Sequence, residues 1–275
     1  MAGTLSVVAT PIGNLRDMTL RAIDVLKSAD LIACEDTRHS SILLKSHGIT
    51  TPTTSYHSYT TETKSRRLIE QLREGKHVAL ITDAGLPGVS DPGASFVQEA
   101  IEAGVRVEVI PGASASLAGL VLSGFPTDRF VFEGFLPVKP GARRNRLEAL
   151  KAEPRTVVLY ESPHRLLKVL QDIEAVFGDI KISVSRELTK QFEETRREPV
   201  SALRAHFTQH APRGEFVLVL PPLRLRASEH ASEQRVLRPR RAPRRDSGVV
   251  ADGSAGAVGD GPPSRLRTNG QHDSS

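Results

Sequence analysis

The chain of 275 residues has a single cysteine, Cys34, and only 4% aromatic residues. One cysteine excludes an internal disulfide and a cysteine-based metal cluster. With few aromatics, any core has to be built from aliphatic side chains, which the 39% apolar content allows. No run has the length and apolarity of a membrane span; the nearest, Leu117 to Phe125, is short and broken by Gly119, Ser123 and Gly124. No basic residue precedes the first apolar run, so it does not read as a signal peptide, and the cytoplasm is the simplest compartment. Several motifs are missing too. There is no P-loop, no G-x-G-x-x-G dinucleotide fingerprint, no H-E-x-x-H and no G-x-S-x-G elbow. The histidines are scattered at unsuitable spacing, so no catalytic metal is expected.

The formal net charge of +5 is not an even excess of cations. Residues 221–275 contain ten Arg, no Lys and six acidic residues, which leaves residues 1–220 at about neutrality with +1. Any surface for nucleic acid must therefore come from local clustering.

What the chain does have is loops of small residues at the ends of apolar runs. Val78-Ala79-Leu80-Ile81 leads into Asp83-Ala84-Gly85-Leu86-Pro87-Gly88-Val89-Ser90-Asp91-Pro92-Gly93. Leu5-Ser6-Val7-Val8-Ala9 leads into Thr10-Pro11-Ile12-Gly13-Asn14-Leu15, and Val105 to Ile110 into Pro111-Gly112-Ala113-Ser114-Ala115-Ser116. A single Gly/Pro cluster is usually a surface turn. Three strand-to-loop transitions of one kind predict three walls of a ligand cleft at the carboxyl ends of neighbouring strands. Asp83 and Asp91 flank the opening of the acidic loop.

Strand-like runs near 5–9, 30–34, 77–82 and 105–110 alternate with helical periodicity, which predicts an α/β fold with a mostly parallel sheet over residues 1–123. Ser123-Gly124-Phe125-Pro126-Thr127-Asp128 reads as a boundary. Residues 124–220 predict a second α/β domain with a mixed sheet: strands at 130–135, 156–160, 180–184 and 215–220, and helices near 143–151, 164–176 and 199–208. Residues 221–275 lack Phe, Tyr, Trp, Ile and Met and are rich in Arg, Gly, Ala, Pro and Ser, a composition that predicts disorder. A solvated tail is the plain reading of that segment; a basic arm at Arg238, Arg240, Arg241, Arg244 and Arg245 is the other.

Polar clusters close two further strands. Cys34-Glu35-Asp36-Thr37-Arg38 begins a helix, with Asp36 or Thr37 as its cap. Tyr160-Glu161-Ser162-Pro163-His164-Arg165 has Ser162 as a cap and Pro163 at the first helical position, but capping does not explain Glu161, His164 and Arg165. The mixed-charge run Ser185 to Glu194 is, as such runs usually are, a solvated face or else part of a site.

Taken together, these loops, with Phe132-Glu133-Gly134-Phe135-Leu136-Pro137 and Arg213-Gly214-Glu215-Phe216, resemble the 16S ribosomal RNA ribose 2′-O-methyltransferases of the tetrapyrrole-methylase superfamily. The likeness runs in order from about residue 4 to 220. It implies a tetrapyrrole-methylase-like fold of two α/β domains with S-adenosylmethionine in the cleft between them. It also implies a homodimer as the working unit and, as acceptor, a cytidine ribose in the decoding region of 16S rRNA within the 30S subunit. Carried over motif by motif, the cofactor residues are Thr10, Pro11, Ile12, Gly13, Asp83, Ala84, Gly85, Leu86, Gly88, Val89, Ser90, Ser114, Ala115, Tyr160, Glu161, Gly214 and Glu215. The hydroxyl must lose a proton; Glu35, Asp36, Asp83, Glu161 and His164 are the candidates for its base, and proximity to the acceptor decides among them. Arg38, Arg143, Arg144, Arg146, Arg165, Arg186 and Lys190 are candidate phosphate contacts.

The chain departs from that family in two places. Leu86 stands where the family usually has Thr. The family's helical, often Lys-rich C-terminal segment is replaced by the Arg/Gly/Ala/Pro tail, which predicts a shifted reading frame from about residue 224. A methylase of a small tetrapyrrole-like molecule and a ribosome-assembly protein without catalysis are the alternatives; Cys34 to Arg38 and Tyr160 to Arg165 favour the RNA branch.

Overall fold

A computed structural model describes residues 3–57, 62–222 and 224. The expectations of a basic arm, of disorder and of a shifted reading frame fall on a segment of which only residues 221, 222 and 224 are described.

Two five-stranded sheets organise the chain. The first comprises β1 (Thr4–Val8), β2 (Leu31–Cys34), β3 (Thr53–Ser55), β4 (His77–Ile81) and β5 (Arg106–Ile110) in the order β3-β2-β4-β1-β5. Every pairing in it is parallel. Helices α1 (Leu20–Ser28), α2 (Thr37–Ser46), α3 (Glu62–Arg73), α4 (Gly93–Glu102) and α5 (Ala115–Ser123) follow its strands. Both faces of such a sheet must be covered, which is why its central strands β2, β4 and β1 are mostly apolar. Leu5, Val78 and Leu80 pack with Leu68, Leu72 and Phe96 from α3 and α4 on one face. Val8, Ile32 and Ile81 pack with Leu26, Leu43 and Leu44 from α1 and α2 on the other. Each such fully buried side chain contributes about 1.5–3 kcal/mol relative to its exposed state.

In the second sheet the order is β6-β7-β10-β8-β9, built from β6 (Phe130–Phe135), β7 (Thr156–Glu161), β8 (Lys181–Arg186), β9 (Glu194–Pro199) and β10 (Phe216–Leu220). Only β6–β7 is parallel, so the sheet is mixed, as its alternating pattern implied. Its helices are α6 (Pro140–Lys151), α7 (Leu166–Phe177) and α8 (Val200–Gln209). They bury Leu147, Leu170, Ile173 and Phe207 against Leu159, Val184 and Leu218.

The opposite face of this sheet receives α5: Leu120 packs with Val158, Val217 and Val219. Gly119 makes that approach possible, since a methyl there would lie 2.6 Å from Val217 Cγ1. The loop residue Ile12 joins the same cluster, so the first sheet's carboxyl edge is anchored on the second.

One expectation needs correcting. The helix after β7 starts at Leu166 with Arg165 at the cap position, not at Pro163. The Ser162 carbonyl accepts the N–H groups of Arg165 and Leu166, each at 3.1 Å, and this closes a turn ahead of the helix.

Candidate functional site

The strand order explains why the three small-residue loops belong together. β4, β1 and β5 are neighbours, so the loops after Ile81, Val8 and Ile110 emerge side by side at one edge. The crossovers that leave the neighbouring strands β1 (to β2) and β4 (to β5) run in opposite directions there, the position at which open α/β sheets hold ligands. The first two loops are tied by a paired bridge: Thr10 N–H donates to the Gly85 carbonyl (2.8 Å), and Gly85 N–H to the Thr10 carbonyl (3.1 Å). The buried Thr10 hydroxyl adds a bond to the Thr82 carbonyl at 3.0 Å. Gly85 has φ 82° and Gly88 φ 90°, conformations that favour glycine, and Ser90 is held at φ 66° without being one.

The two carboxylates of the acidic loop have different roles. Asp91 is folded into it and accepts the N–H groups of Gly88 (2.8 Å) and Gly93 (2.7 Å). Asp83 is placed differently: the Asp36 backbone hydrogen-bonds to its carboxylate, but its Oδ1 is buried with no hydrogen-bond partner among the described residues. Burial pushes the Asp83 carboxyl above the usual range, and the neighbouring charge of Glu35 pushes it further. Glu35 itself accepts the Thr82 hydroxyl at 2.8 Å. Asp36 caps α2 through the Arg38 N–H, as the sequence predicted, and pairs with the Arg38 guanidinium at 3.2 Å.

A cavity of about 440 Å³ opens here. Pro11, Ile12, Gly13, Asp83, Ala84 and Glu215 line it, together with Thr82, Lys190, and Leu15, His39, Ser40, Ile42 and Leu43 around α2. Lys190 Nζ donates to Glu187 Oε1 and Glu215 Oε2, each at 2.9 Å. Burial works against its charge, but the hydrogen bonds it donates to Glu215 and Glu187 outweigh this and hold the ammonium above the usual lysine value.

The other candidates gather elsewhere. A methyl on Gly134 would lie 3.0 Å from Ser90 Oγ, so β6 approaches the far end of the acidic loop. Ser114 and Ser116 hydroxyls meet at 3.0 Å, and the Ser116 N–H donates to the Tyr160 hydroxyl at 3.0 Å. The Tyr160 ring stands edge-on to Phe132 and Phe135, with centroids 4.9 and 5.7 Å away. Leu86 packs partly buried against the core beneath the sheet, and Val89 is exposed. Ala115 opens α5, and Gly214 has φ 85°. Glu161 is buried; its Oε1 accepts the Ser162 N–H at 2.8 Å and lies 3.3 Å from Arg165 Nε, while Oε2 has no partner among the described residues. Burial raises its pKa against the pull of the Ser162 N–H and of Arg165. His164 is exposed.

The basic candidates divide by exposure. Arg143 is 5% exposed and, with the 58% exposed Arg144, clamps the buried Asp172, at 2.6 Å (Nη2) and 2.7 Å (Nε). Arg146 pairs with Glu133 at 2.5 Å and Arg186 with Glu194 at 2.7 Å. The Arg165 Nη2 donates to the Leu136 carbonyl at 2.6 Å. Arg38 is 91% exposed.

Sequence reasoning missed His39 and Ile42, which have no motif signal and meet the site only through folding, and it gave Glu187 no role beyond its place in the mixed-charge run. It also quoted Phe135 without giving it a role; its ring is 52% exposed beside Tyr160. Among the described residues no group of three or more His, Cys, Asp or Glu is arranged to hold a metal ion, and no helix is long and apolar enough to cross a membrane.

Solved structures share this architecture. A uroporphyrin-III-C-methyltransferase from Thermus thermophilus matches at TM-score 0.58 and 21% identity, covering 82% of this chain and 98% of that one. A diphthine synthase matches at TM-score 0.64 and 17% identity, covering 80% and 89%. At such identities the likeness is one of fold. The family model for Tetrapyrrole (Corrin/Porphyrin) Methylases matches residues 4–204. Among curated proteins, ribosomal RNA small subunit methyltransferase I of Mesorhizobium japonicum is 51% identical over 235 residues, 85% of this chain and 80% of that one. The proteins of the same name from Synechocystis sp. (48% identity, 79% of this chain and 78% of that one) and Escherichia coli O157:H7 (46%, 79% and 77%) are similar to it as well. The chain belongs to the tetrapyrrole methylase family, in the group of ribosomal RNA small subunit methyltransferase I.

Proposed function

We propose that this protein methylates ribosomal RNA, transferring the methyl group of S-adenosylmethionine to the 2′-oxygen of a cytidine in the decoding region of 16S rRNA, with the 30S subunit as substrate and a homodimer as the working unit. The observation that carries the reading is the convergence of three small-residue loops at the edge of β4, β1 and β5, with the unpartnered Asp83 Oδ1 at their mouth. The relatives named ribosomal RNA small subunit methyltransferase I supply the substrate class.

These residues fit the donor. Backbone groups and small side chains at Ala84, Gly85, Gly88, Ser90, Ser114 and Ala115 allow close approach, and the half-buried Asp83, whose Oδ1 has no hydrogen-bond partner among the described residues, suits a neighbouring cationic group. Phe135 and Tyr160 offer aromatic surface for a purine. When bound, S-adenosylmethionine supplies an electrophilic methyl group on a sulfonium. The protein's part is positioning and proton handling. The loops hold the reacting atoms in line and exclude water. Of the candidate bases, Asp83 lines the cavity and Glu35 sits behind it on the Thr82 hydroxyl; Asp36 is spent on its helix cap, and His164 faces solvent. Arg38 and Arg144 are the exposed guanidinium groups offered to phosphate, whereas Arg143 is enclosed with Asp172.

The test is methyl transfer from labelled S-adenosylmethionine to undermethylated 30S subunits, with naked 16S rRNA alongside. Label in the subunit's RNA supports the reading. Donor binding with no transfer to either RNA contradicts it, and transfer to a tetrapyrrole instead moves the protein to another branch of its family.

A further inference from the structure

The Asp83-to-Ser90 loop has the cavity at one end and the Tyr160–Phe135 platform at the other, and the candidate residues of the site divide between them. Two ligands must meet in a methyl transfer, so two compartments need assigning. The cavity has the character of an acceptor pocket. Its volume of about 440 Å³ falls in the range of small-ligand sites, roughly 300–1,000 Å³. Its rim carries the apolar side chains of Leu15 and Ile42, the latter 62% exposed on α2. Such a site suits one unstacked nucleoside, not a paired strand.

The cationic wall of this cavity is built with unusual care. Lys190 sits in the β8–β9 connection, where Glu187 (φ 50°) and Thr189 (φ 67°) are both held in the left-handed region without being glycine. Backbone conformations of that cost persist where the surroundings impose them, and they gather at functional sites. Two glycines make room for the arrangement. A methyl on Gly13 would stand 2.4 Å from Lys190 Cγ, and one on Gly214 would stand 2.1 Å from Glu187 Oε1. Asn14 N–H donates to the Thr189 hydroxyl at 3.1 Å and pins the connection to the first loop. Of the three ammonium protons of Lys190, two go to Glu187 and Glu215, and the structure shows no taker for the third among the described residues.

We infer that this cavity receives the acceptor nucleoside, everted from its strand, and that Lys190, clamped by Glu187 and Glu215, holds the acceptor ribose there by donating its remaining N–H to a ribose oxygen. The inference rests on the proposed RNA-ribose methylation and adds to it the subsite and the holding residue. It separates Lys190 from the exposed arginines: those meet phosphate anywhere along the strand, whereas Lys190 meets one nucleoside. A fixed ammonium also suits an oxygen on which negative charge develops. Lys190 remains a donor and not a base, because its two carboxylate partners keep it charged.

The test uses the full chain and reads donor and acceptor separately. For the wild type, Lys190→Met, Lys190→Arg and Ile42→Trp, one measures the Kd for S-adenosylmethionine by calorimetry, and kcat and KM on undermethylated 30S subunits. Lys190→Met is expected to lower kcat/KM on the subunit by about 10²-fold with the donor Kd unchanged, and Lys190→Arg to recover part of the loss. Ile42→Trp fills the cavity from an exposed position without touching the clamp, and is expected to raise the acceptor KM alone; it carries the test if Lys190→Met fails to fold. A donor Kd that weakens in step with activity assigns the cavity to the donor and overturns the inference. So does a kcat/KM that both Lys190→Met and Ile42→Trp leave unchanged. The wild-type measurement reports on the underlying reading: without transfer to the 30S subunit that reading fails and this one with it, whereas wild-type transfer with unaffected variants removes this inference alone.

Discussion

Gly13 and Lys190 come from different sheets and pass so closely that a single methyl group at Gly13 would stand 2.4 Å from Lys190 Cγ and 2.9 Å from the Leu188 carbonyl oxygen. The second contact is with backbone, which yields less readily than a side chain. Gly13→Ala is therefore expected to displace the β8–β9 connection, at about 1–3 kcal/mol of stability, as overpacking does elsewhere. It should also lower turnover on RNA more than it lowers donor binding. Urea unfolding beside kinetics on the 30S subunit checks both; a variant with wild-type stability and turnover contradicts the tight approach.

Asp172 is buried between Arg143 and Arg144. Burial disfavours its charge, but hydrogen bonds from Arg144 and Arg143 outweigh this and hold the carboxyl below its usual range. Removing the acid strands a guanidinium in the core, so Asp172→Ala is expected to cost about 3–5 kcal/mol. A depressed folded-state pKa means that the stability is present above the unfolded value of about 3.9 and is lost as pH falls through the folded one. The gap between wild type and variant in urea unfolding should accordingly close in acid. A gap that is constant with pH contradicts the pairing.

Much of this fold was legible in the chain because apolar runs and small-residue loops alternate, and the three loops did prove to follow neighbouring strands. What escaped notice has physical causes. β3, Thr53–Ser55, is three residues long and has no apolar member. β9 reads Glu-Thr-Arg-Arg-Glu-Pro, a charged run at a sheet edge with no apolar alternation, held by the Arg186–Glu194 pair to β8 and the Arg196–Glu194 pair within the strand. Arg143, Arg144 and Arg146 form a basic cluster in sequence, but helical geometry turns Arg143 inward to Asp172. Glu187 and Gly214 meet only because β8 and β10 pair, so no local pattern announces the clamp.

Asp83 has its pKa raised, first by burial and then by the charge of Glu35. If its carboxylate takes the ribose proton, activity is lost as pH falls through a value above that of an ordinary aspartate. Glu35→Gln removes the second-largest of the causes and is expected to move the acid limb of the kcat/KM profile to lower pH. Asp83→Asn should lower kcat at every pH and abolish the limb. An acid limb untouched by either change assigns the proton to another group.

Arg38 is paired with Asp36 only at the surface. An exposed guanidinium that meets phosphate contributes mainly through counterion release, so Arg38→Ala is expected to weaken 30S binding and reduce the slope of log K against log salt by about 0.7–0.9. A binding series at several salt concentrations measures it. An unchanged slope places the RNA elsewhere.

Ribose methylation of small-subunit RNA leaves its signature in the chemistry of the product. A 2′-O-methyl group removes the hydroxyl that attacks the adjacent phosphodiester in alkali. After transfer from labelled S-adenosylmethionine to undermethylated 30S subunits, the labelled RNA is hydrolysed in alkali and the product separated. The expected result is label in an alkali-resistant dinucleotide with a 2′-O-methylcytidine on its 5′ side, mapping to the decoding region. Label recovered in mononucleotides, and so on a base, contradicts the account.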